Sequence, residues 1–279
     1  MRQNDSLLDR ITCLVESDSF SLPAYDPVSL RLQKAIADKN EDIGEIEKLI
    51  LSDQALAAEV LRVANSPFFC GLSEVRTIRA AIVRLGTQQM RRLVLLILER
   101  VKYKAQNPAL HKRLGDLWRH ASSTALAAQW LSKRLHMTGI EEICFLGGLL
   151  HDIGKLVILK AVDEIAERDR CEPLSPVLLN DILKTEHCRL GHQMLMKWNI
   201  PEIYCQITRD HDAENINTED FPLLIVRLAN EGSKKLGFGV NPDIPLDLAE
   251  IPEVKFLQVR VDLLEELQDM LANHLNIAA

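Results

Sequence analysis

The amino-acid sequence predicts an all-α protein made of two packed helical bundles. Apolar residues recur at helical spacing along most of the 279 residues, and no segment shows the alternation that is typical of a β-strand. The connections between the periodic segments are short, and glycine, proline or asparagine marks most of them. A hydrophobic content of 47% supports a large buried core and excludes a disordered chain.

The first predicted bundle extends to about Tyr103 and contains four amphipathic segments. Asp42 is placed to cap the first of them, and the second stops before Pro67. Thr77 and Gly86 bracket the third, because threonine commonly caps the start of a helix and glycine commonly ends one. The predicted helices are 42–52, 53–64, 77–85 and 87–103.

The second predicted bundle begins at about Asn107 and ends at about Leu236. Its first helix is long and starts beside Pro108, since helices tolerate proline in their first turn. The predicted helices are 109–135, 140–150, 175–186, 190–198, 201–209 and 221–236.

A C-terminal tail completes the expected division into 1–104, 105–240 and 241–279. In this tail Val254, Leu257, Val261 and Leu264 follow one another at heptad-like steps. The pattern lasts fewer than two heptads, whereas a coiled coil needs about three or four. It favours a helix that packs on its own chain, and a homodimer stays open as the alternative.

The charge pattern argues against a dedicated nucleic-acid-binding protein. The chain has 33 Lys and Arg against 40 Asp and Glu, and its net charge is −7. Residues 76–104 reverse this balance, with eight basic side chains and one acidic one. A solvated helix face is the favoured interpretation of this stretch, and a docking surface for an acidic partner or a nucleic acid is the alternative.

Membrane and disulfide-rich classes are also disfavoured. The longest aliphatic run, from Leu93 to Leu98, is far shorter than the roughly 20 residues that span a bilayer. The first residues lack the apolar stretch of a signal peptide, so a cytoplasmic protein is expected. Reduced, mostly buried thiols are expected, because the cysteines are irregularly spaced at Cys13, Cys70, Cys144, Cys171, Cys188 and Cys205.

The sharpest local feature is the sequence His151-Asp152-Ile153-Gly154-Lys155, which follows the apolar run 147–150. A histidine and an aspartate at the end of a buried helix cost free energy unless they are paired or bind a cation. Imidazole nitrogen suits iron, zinc, nickel and copper, and a carboxylate can bridge ions. A hydrogen-bonded pair that locks the helix end is the alternative.

Three further histidines are candidates to join this pair. His120 lies on the apolar face of the long helix, and His187 precedes the apolar residues Leu190, Gly191 and Leu195. His211 stands between two aspartates at the end of a predicted helix. A buried histidine with a backbone partner is the alternative for His120.

In chain order these residues resemble the H…HD…D pattern of the HD superfamily, and other motifs resemble one branch of it, the HDOD domain. The resemblance covers about residues 20–240. Its further motifs are Leu22-Pro23, Ser52-Asp53-Gln54-Ala55-Leu56, Leu61-Arg62-Val63-Ala64-Asn65-Ser66, Arg76-Thr77-Ile78-Arg79-Ala80-Ala81-Ile82, Leu85-Gly86, Lys197-Trp198-Asn199-Ile200-Pro201-Glu202 and Arg227-Leu228-Ala229-Asn230.

The resemblance implies an HD-like C-terminal bundle with a metal site. The implied metal ligands are His120, His151, Asp152, His187, Asp210, His211 and Asn230. A nitrogen-rich set of this kind predicts a transition-metal ion, iron first, with zinc, manganese or nickel as alternatives. Two positions depart from the pattern, because Asp210 replaces a histidine and Asn230 replaces an aspartate.

The resemblance implies a bacterial regulatory module that acts by contact with an unidentified signalling protein. The alternative is a metal-dependent phosphohydrolase in which Asp152 and Lys155 are catalytic and Lys155 neutralises phosphate charge. Weak or absent turnover is expected, because Asn230 removes one negative ligand. Hydrolysis of cyclic dinucleotides has little support, since the GYP signature of the related HD-GYP phosphodiesterases is absent after Lys155.

Overall fold

The computed structural model confirms the all-α prediction: every regular element among the described residues is a helix, and none of them forms a strand. The described residues are 6–17, 20, 43–52, 54–66, 69, 74–100, 102–105, 107–169, 175–215, 217–237 and 247–278. The predicted Asp42 cap, the Leu22-Pro23 motif, Asp53, Pro67, Cys70 and Cys171 lie outside them.

The structure describes thirteen α-helices among these residues. In order they are α1 (Leu7–Glu16), α2 (Ile43–Leu51), α3 (Gln54–Ala64), α4 (Ile78–Leu85), α5 (Thr87–Arg100), α6 (Pro108–Arg134), α7 (Glu141–Leu150), α8 (Ile153–Asp169), α9 (Pro176–Lys197), α10 (Glu202–Asp210), α11 (Phe221–Lys235), α12 (Pro252–Phe256) and α13 (Val261–Ala278). A short 3-10 helix, Leu248–Glu250, precedes α12.

The chain divides into two compact units, one of which comprises residues 1–22 and 103–272. In this unit the long helix α6 packs against α7, α8 and α11. Helix α8 packs against α9, and α9 packs against α10. Helix α1 joins the same unit through contacts with α8 and α9. The division at 104 and 240 that the sequence suggested stays a prediction.

Two helical segments differ from the expectations. The predicted helices 175–186 and 190–198 are one continuous helix, α9. No helix was predicted over α8, where Leu156, Val157, Ile158 and Leu159 are all fully buried. Because this run is apolar and buried on every side, the periodicity that marks an amphipathic helix is missing there.

The predicted ends of α4, at Thr77 and Gly86, are confirmed, whereas the helix predicted over 87–103 ends at Arg100. The hydroxyl of Thr77 accepts a hydrogen bond from the backbone N–H of Ala80, and Gly86 follows the last residue of α4 with a φ of 78°. Asn107 caps α6, where its side chain accepts from the backbone N–H groups of Ala109 and Leu110. These caps satisfy donors that a helix leaves free in its first turn.

The other unit comprises residues 23–102 and 273–279. Among its described residues, helices α2 to α5 share an apolar core that includes Ile46, Val60, Ile82 and Leu93. Much of its basic surface is paired with acidic side chains, since Arg76, Arg79, Arg100 and Lys102 contact Glu74, Glu47, Glu59 and Glu99. These pairs agree with a solvated helix face.

The C-terminal segment packs on its own chain. Leu264, Leu267 and Leu271 of α13 are buried, and the last two lie against Gly232 of α11. Val261 is 66% exposed, so the predicted heptad-like stripe does not continue through it. Within the described residues, no helix combines the length and the apolar character that crossing a membrane requires.

Candidate metal centre

Five side chains from four separate parts of the chain converge on one buried point. His120 comes from the middle of α6, His187 from α9 and His211 from the residue after α10. His151 and Asp152 lie in the turn between α7 and α8. Each of the five is at most 2% exposed, so their mutual contacts replace contact with water.

Asp152 lies at the middle of this cluster, with a pair of histidines on each carboxylate oxygen. Its Oδ2 atom is 3.4 Å from Nε2 of His120 and 3.5 Å from Nε2 of His151. Its Oδ1 atom is 3.5 Å from Nε2 of His187 and 3.4 Å from Nε2 of His211. The carboxylate therefore joins two pairs of imidazoles.

The spacing within each pair fits two ligands that share an ion. The Nε2 atoms of His120 and His151 are 3.2 Å apart, and those of His187 and His211 are 3.3 Å apart. Two nitrogens at about 2.1 Å from one ion, with an angle of about 100° between them, lie about 3.2 Å apart. The arrangement has two positions, and we name them the first position (His120, His151, Asp152) and the second position (His187, His211, Asp152).

Backbone carbonyl groups orient two of the rings. Nδ1 of His151 lies 2.7 Å from the carbonyl oxygen of Gly148, and Nδ1 of His211 lies 2.9 Å from that of Thr208. A carbonyl oxygen only accepts, so Nδ1 must be the donor in both contacts. In the neutral ring this leaves the Nε2 lone pair for an ion, an arrangement that is common among metal-ligating histidines.

A close approach of α8 and α9 brings His187 to Asp152. A Cβ atom at Gly154 would lie 1.8 Å from the carbonyl oxygen of His187, so any side chain there would clash with the backbone. Gly191, one turn after His187, contacts the backbone of Gly154 in return. The Gly154 that follows the His-Asp pair in sequence is therefore needed for the spacing of the site.

The electrostatics of the centre are dominated by burial and by Asp152. Burial raises the pKa of Asp152, but Lys155 and the surrounding histidines outweigh it and hold that pKa well below its usual range. Burial lowers the pKa of His120 to about 4 and that of His151 well below its usual value, although Asp152 opposes both shifts. These two histidines are neutral at pH 7, as metal ligands must be.

The pKa of His211 is shifted upward, unlike those of His120 and His151. Burial lowers its pKa, but Asp152, Cys188 and Asp212 outweigh burial and raise it to about 9. At neutral pH without a metal ion, this imidazolium supplies a positive charge beside the carboxylates of Asp152 and Asp212. A bound cation would take over that role.

Several polar atoms at the centre are buried without any hydrogen bond, including Oδ1 of Asp152, Nδ1 of His120 and Nδ1 of His187. An unsatisfied buried polar atom costs about 1–3 kcal/mol, so such groups are rare unless an ion or a water completes them. The donor set of four imidazoles and one carboxylate suits a transition metal. These residues therefore fit a metal centre.

The remaining predicted site residues lie at different distances from this point. Lys155 donates from Nζ to Oδ2 of Asp152 at 2.8 Å, so it contacts the first position. Asn230 is buried, and its side chain raises the pKa of His120, although burial outweighs it. Asp210 stands apart, because both of its carboxylate oxygens accept from Arg209, and it belongs to neither group of potential ligands.

Two residues at the second position were missed by the sequence analysis. Oδ2 of Asp212 lies 3.3 Å from Nε2 of His187, so Asp212 occupies the place that was assigned to Asp210. The chain leaves α10 at Asp210, and the turn directs His211 inward and Asp212 towards the histidine pair. Cys188 also contacts both histidines. Their adjacency to His211 and His187 was the available signal.

An arginine whose side chain is 14% exposed, Arg227, holds the turn that carries His211 and Asp212. Nη1 of Arg227 donates to the backbone oxygens of Asp210, His211 and Ala213 at 3.1, 2.8 and 2.9 Å. Its Nε donates to Glu253 of α12, whose side chain is 4% exposed. Arg227 and Glu253 therefore link the C-terminal segment to the second position.

Comparison with known proteins confirms the resemblance that the motifs indicated. A family model described as "HDOD domain" matches residues 22–214. A Treponema pallidum (strain Nichols) protein named "Uncharacterized protein" is 24% identical over 217 residues, which are 75% of this chain and 41% of that protein. The chain thus spans about two fifths of the length of that relative.

Solved structures share the fold at low identity. An HDOD domain protein with unknown function from Geobacter sulfurreducens is 22% identical with a TM-score of 0.68, over 98% of this chain and 97% of that one. A Shewanella amazonensis SB2B protein titled "Putative metal-dependent phosphohydrolase" is 18% identical with a TM-score of 0.74, over 98% of both chains. A Marinobacter aquaeolei VT8 protein titled "Putative signal transduction protein" is 19% identical with a TM-score of 0.61, over 98% and 64%. At these identities the likeness establishes the shared fold.

Proposed function

We propose that this protein, which belongs to the HDOD domain family, is a regulatory module that holds a transition-metal centre and acts by contact with a signalling protein. One observation carries the metal centre: a buried carboxylate with two imidazole Nε2 atoms within 3.5 Å of each of its oxygens. The signalling role draws support from the family and from the structural relative titled a signal transduction protein.

His120, His151 and Asp152 would hold an ion at the first position, and His187, His211 and Asp152 would hold one at the second. When bound, such an ion is a Lewis acid that polarises a phosphoryl oxygen and makes a bound water more acidic. The protein's own part is to keep the imidazoles neutral and fixed and to exclude water from the buried carboxylate. A centre of this kind can order α6, α7, α9 and α10 together, because it draws one ligand from each region.

A catalytic role is the second candidate function. It is favoured by the first position, whose ligand set leaves a coordination place free. That position has three protein ligands among the described residues, and catalytic metal sites commonly use three and leave a place for water or substrate. Lys155 lies beside it and carries a charge that could face a phosphate. Two features weaken the candidate: Asn230 is neutral, and the ammonium of Lys155 is already paired with Asp152.

The test combines metal content with turnover. Protein purified without chelators is expected to contain a transition metal, to lose it in His151→Ala, and to show more hydrogen-exchange protection in α6 to α10 when metal is bound. Metal-loaded protein is expected to hydrolyse generic phosphoesters and nucleotides weakly or not at all. Robust hydrolysis that disappears in His151→Ala would overturn the regulatory role in favour of the phosphohydrolase. Failure to bind any metal would overturn both.

An Asn230→Asp variant separates a weakened enzyme from a module that never acts on phosphate. If the site is a weakened phosphohydrolase, the added carboxylate should raise metal affinity or turnover by about tenfold, the lower end of the effect of residues around metal ligands. The regulatory role expects tighter metal binding without turnover. Activity is measured with the same phosphoester panel, and metal affinity by competition with a chromophoric chelator.

A further inference from the structure

The second position has a sulfur donor that the first position lacks. Sγ of Cys188 lies 3.4 Å from Nε2 of His187 and 3.8 Å from Nδ1 of His211. One donor atom from each of His187, Cys188, His211 and Asp212 falls within a group whose members are all within 4.8 Å of one another. The corresponding group at the first position is His120, His151 and Asp152, without sulfur.

The spacing of the thiol fits a shared ion. A sulfur at about 2.3 Å and a nitrogen at about 2.1 Å from one ion, about 100° apart, are separated by about 3.4 Å. This matches the distance from Sγ of Cys188 to Nε2 of His187. Nε2 of His187 also has the second histidine and Asp212 at 3.3 Å each, so three potential donors surround it at ligand-to-ligand spacing.

An independent observation also points to a cation at this place. Oδ1 of Asp152 is buried, makes no hydrogen bond, and is directed at the same two histidines at 3.5 and 3.4 Å. A buried carboxylate oxygen is costly when it is left unsatisfied, and a cation between it and the imidazoles removes that cost. The oxygen without a hydrogen bond therefore faces the same two histidines that the thiol contacts.

We propose that Cys188 is a thiolate ligand at the second position and makes that position selective for a thiophilic ion, zinc or ferrous iron, over magnesium and manganese. Thiolate ligands select such ions, whereas sites of carboxylate and water suit the harder ones. Cys188 and Asp212 add two candidate ligands to His187, His211 and Asp152, so the second position reaches at least the four ligands of a closed site, while the first keeps an open place. The inference rests on the proposed metal centre.

Cys188 and Asp212 also lie where an ion from solvent can reach them. The thiol is half-buried and the Asp212 side chain is 38% exposed, whereas the histidines of both positions are buried. The second position is therefore partly open to solvent, through Cys188 and Asp212.

Substitution with Co²⁺ tests the proposal without measuring activity, because a thiolate bound to Co²⁺ gives an intense charge-transfer band in the near ultraviolet. The full chain loaded with Co²⁺ should show this band, and Cys188→Ser should abolish it while keeping the weaker visible bands of Co²⁺ bound by nitrogen and oxygen. Zinc affinity should fall by about 100-fold in Cys188→Ser, since even the residues around metal ligands change affinity about 10–100-fold. Cys13→Ser is the matched control, because Cys13 is an exposed cysteine of the same unit and should leave both readouts unchanged.

The outcomes separate this inference from the proposed function. Co²⁺ that binds without a charge-transfer band, or with a band that survives Cys188→Ser, overturns the thiolate ligand and leaves the metal centre standing. No Co²⁺ or Zn²⁺ binding at all overturns both. If Cys188→Ser fails to fold, Cys188→Ala and the rate of thiol alkylation decide, because a bound ion should slow alkylation of Cys188 and leave that of Cys13 unchanged.

Discussion

The two compact units differ in how deeply their charged and titratable side chains are buried. In the unit of residues 23–102, the described ion pairs are largely at the surface, as in the pair of Arg79 with Glu47, in which the arginine side chain is 66% exposed. In the unit of residues 1–22 and 103–272, Asp152, four histidines and Glu253 are almost fully buried. Buried charge is costly, so the second arrangement persists only where a partner or an ion compensates it. The buried charged and titratable groups of the candidate metal centre thus lie in the unit of residues 1–22 and 103–272.

The largest expected effect is at the buried Arg227–Glu253 pair. Arg227→Ala should destabilise the protein by about 3–5 kcal/mol, because it leaves a buried carboxylate unpaired. The turn that carries His211 and Asp212 should also lose its hydrogen bonds, so metal affinity falls as well. Urea denaturation and chelator competition measure the two effects.

The matched control is Arg260→Ala, which removes an arginine that is 83% exposed and paired with Asp262 in the same unit. It should cost less than about 1 kcal/mol, as surface ion pairs do. Equal destabilisation by the two variants would show that burial of the Arg227 pair does not matter.

The next largest loss of stability is expected from a substitution at the close contact between α8 and α9. Gly154→Ala should cost about 1–3 kcal/mol or more, because the new methyl group would clash with the carbonyl of His187 and separate that histidine from Asp152. Metal affinity should fall in parallel. Thermal denaturation with and without metal measures both.

Gly115→Ala is the control, since Gly115 lies within α6 and a Cβ atom there meets nothing within 4 Å. That change should stabilise the protein by roughly 0.5–1 kcal/mol, the usual advantage of alanine in a helix. A neutral result at Gly154 would contradict the tight helix contact.

A smaller effect concerns pH. The pKa of His211 is raised to about 9, above the ordinary 6.5. Its contribution to the stability of the metal-free protein is therefore complete below about pH 6.5 and is lost as the pH rises through 9. Metal binding must displace this proton, so affinity should rise about tenfold per pH unit between pH 7 and 9.

Between pH 7 and 9, a rising pH should consequently lower the stability of the metal-free protein and raise its affinity for metal. Denaturation midpoints in chelator at pH 7 and 9, and zinc affinities at the same two values, give the comparison. An affinity that is flat over this range would contradict a protonated His211 in the metal-free site.

The smallest change in stability is expected in the unit of residues 23–102 and 273–279. Arg79→Ala should change stability by less than about 1 kcal/mol, because its partner Glu47 is reached across an exposed surface. Titration with a short oligonucleotide at two salt concentrations should show at most weak binding that vanishes with added salt. Tight, sequence-dependent binding would instead assign a nucleic-acid role to residues 76–104.

The sequence predicted most of the helices through local signals. Thr77, Gly86 and Asn107 stand at helix ends because capping depends on nearby residues alone. The continuous helix α9 and the buried helix α8 could not be read in the same way. In α8 the apolar run 156–159 has no polar face, and in α9 the polar residue His187 faces the interior and interrupts the apolar pattern.

By itself, the sequence determined the all-α class, the HDOD family and the histidines and aspartate of the centre, because these depend on residue type, order and local periodicity. Only the tertiary structure decided that Asp152 lies between two histidine pairs, that Asp212 and not Asp210 approaches them, and that Cys188 contacts His187 and His211. The physical reason is that ligands on α6, α9 and α10 are far apart in the chain. Their distances follow from how closely the helices pack, as at Gly154 and Gly191.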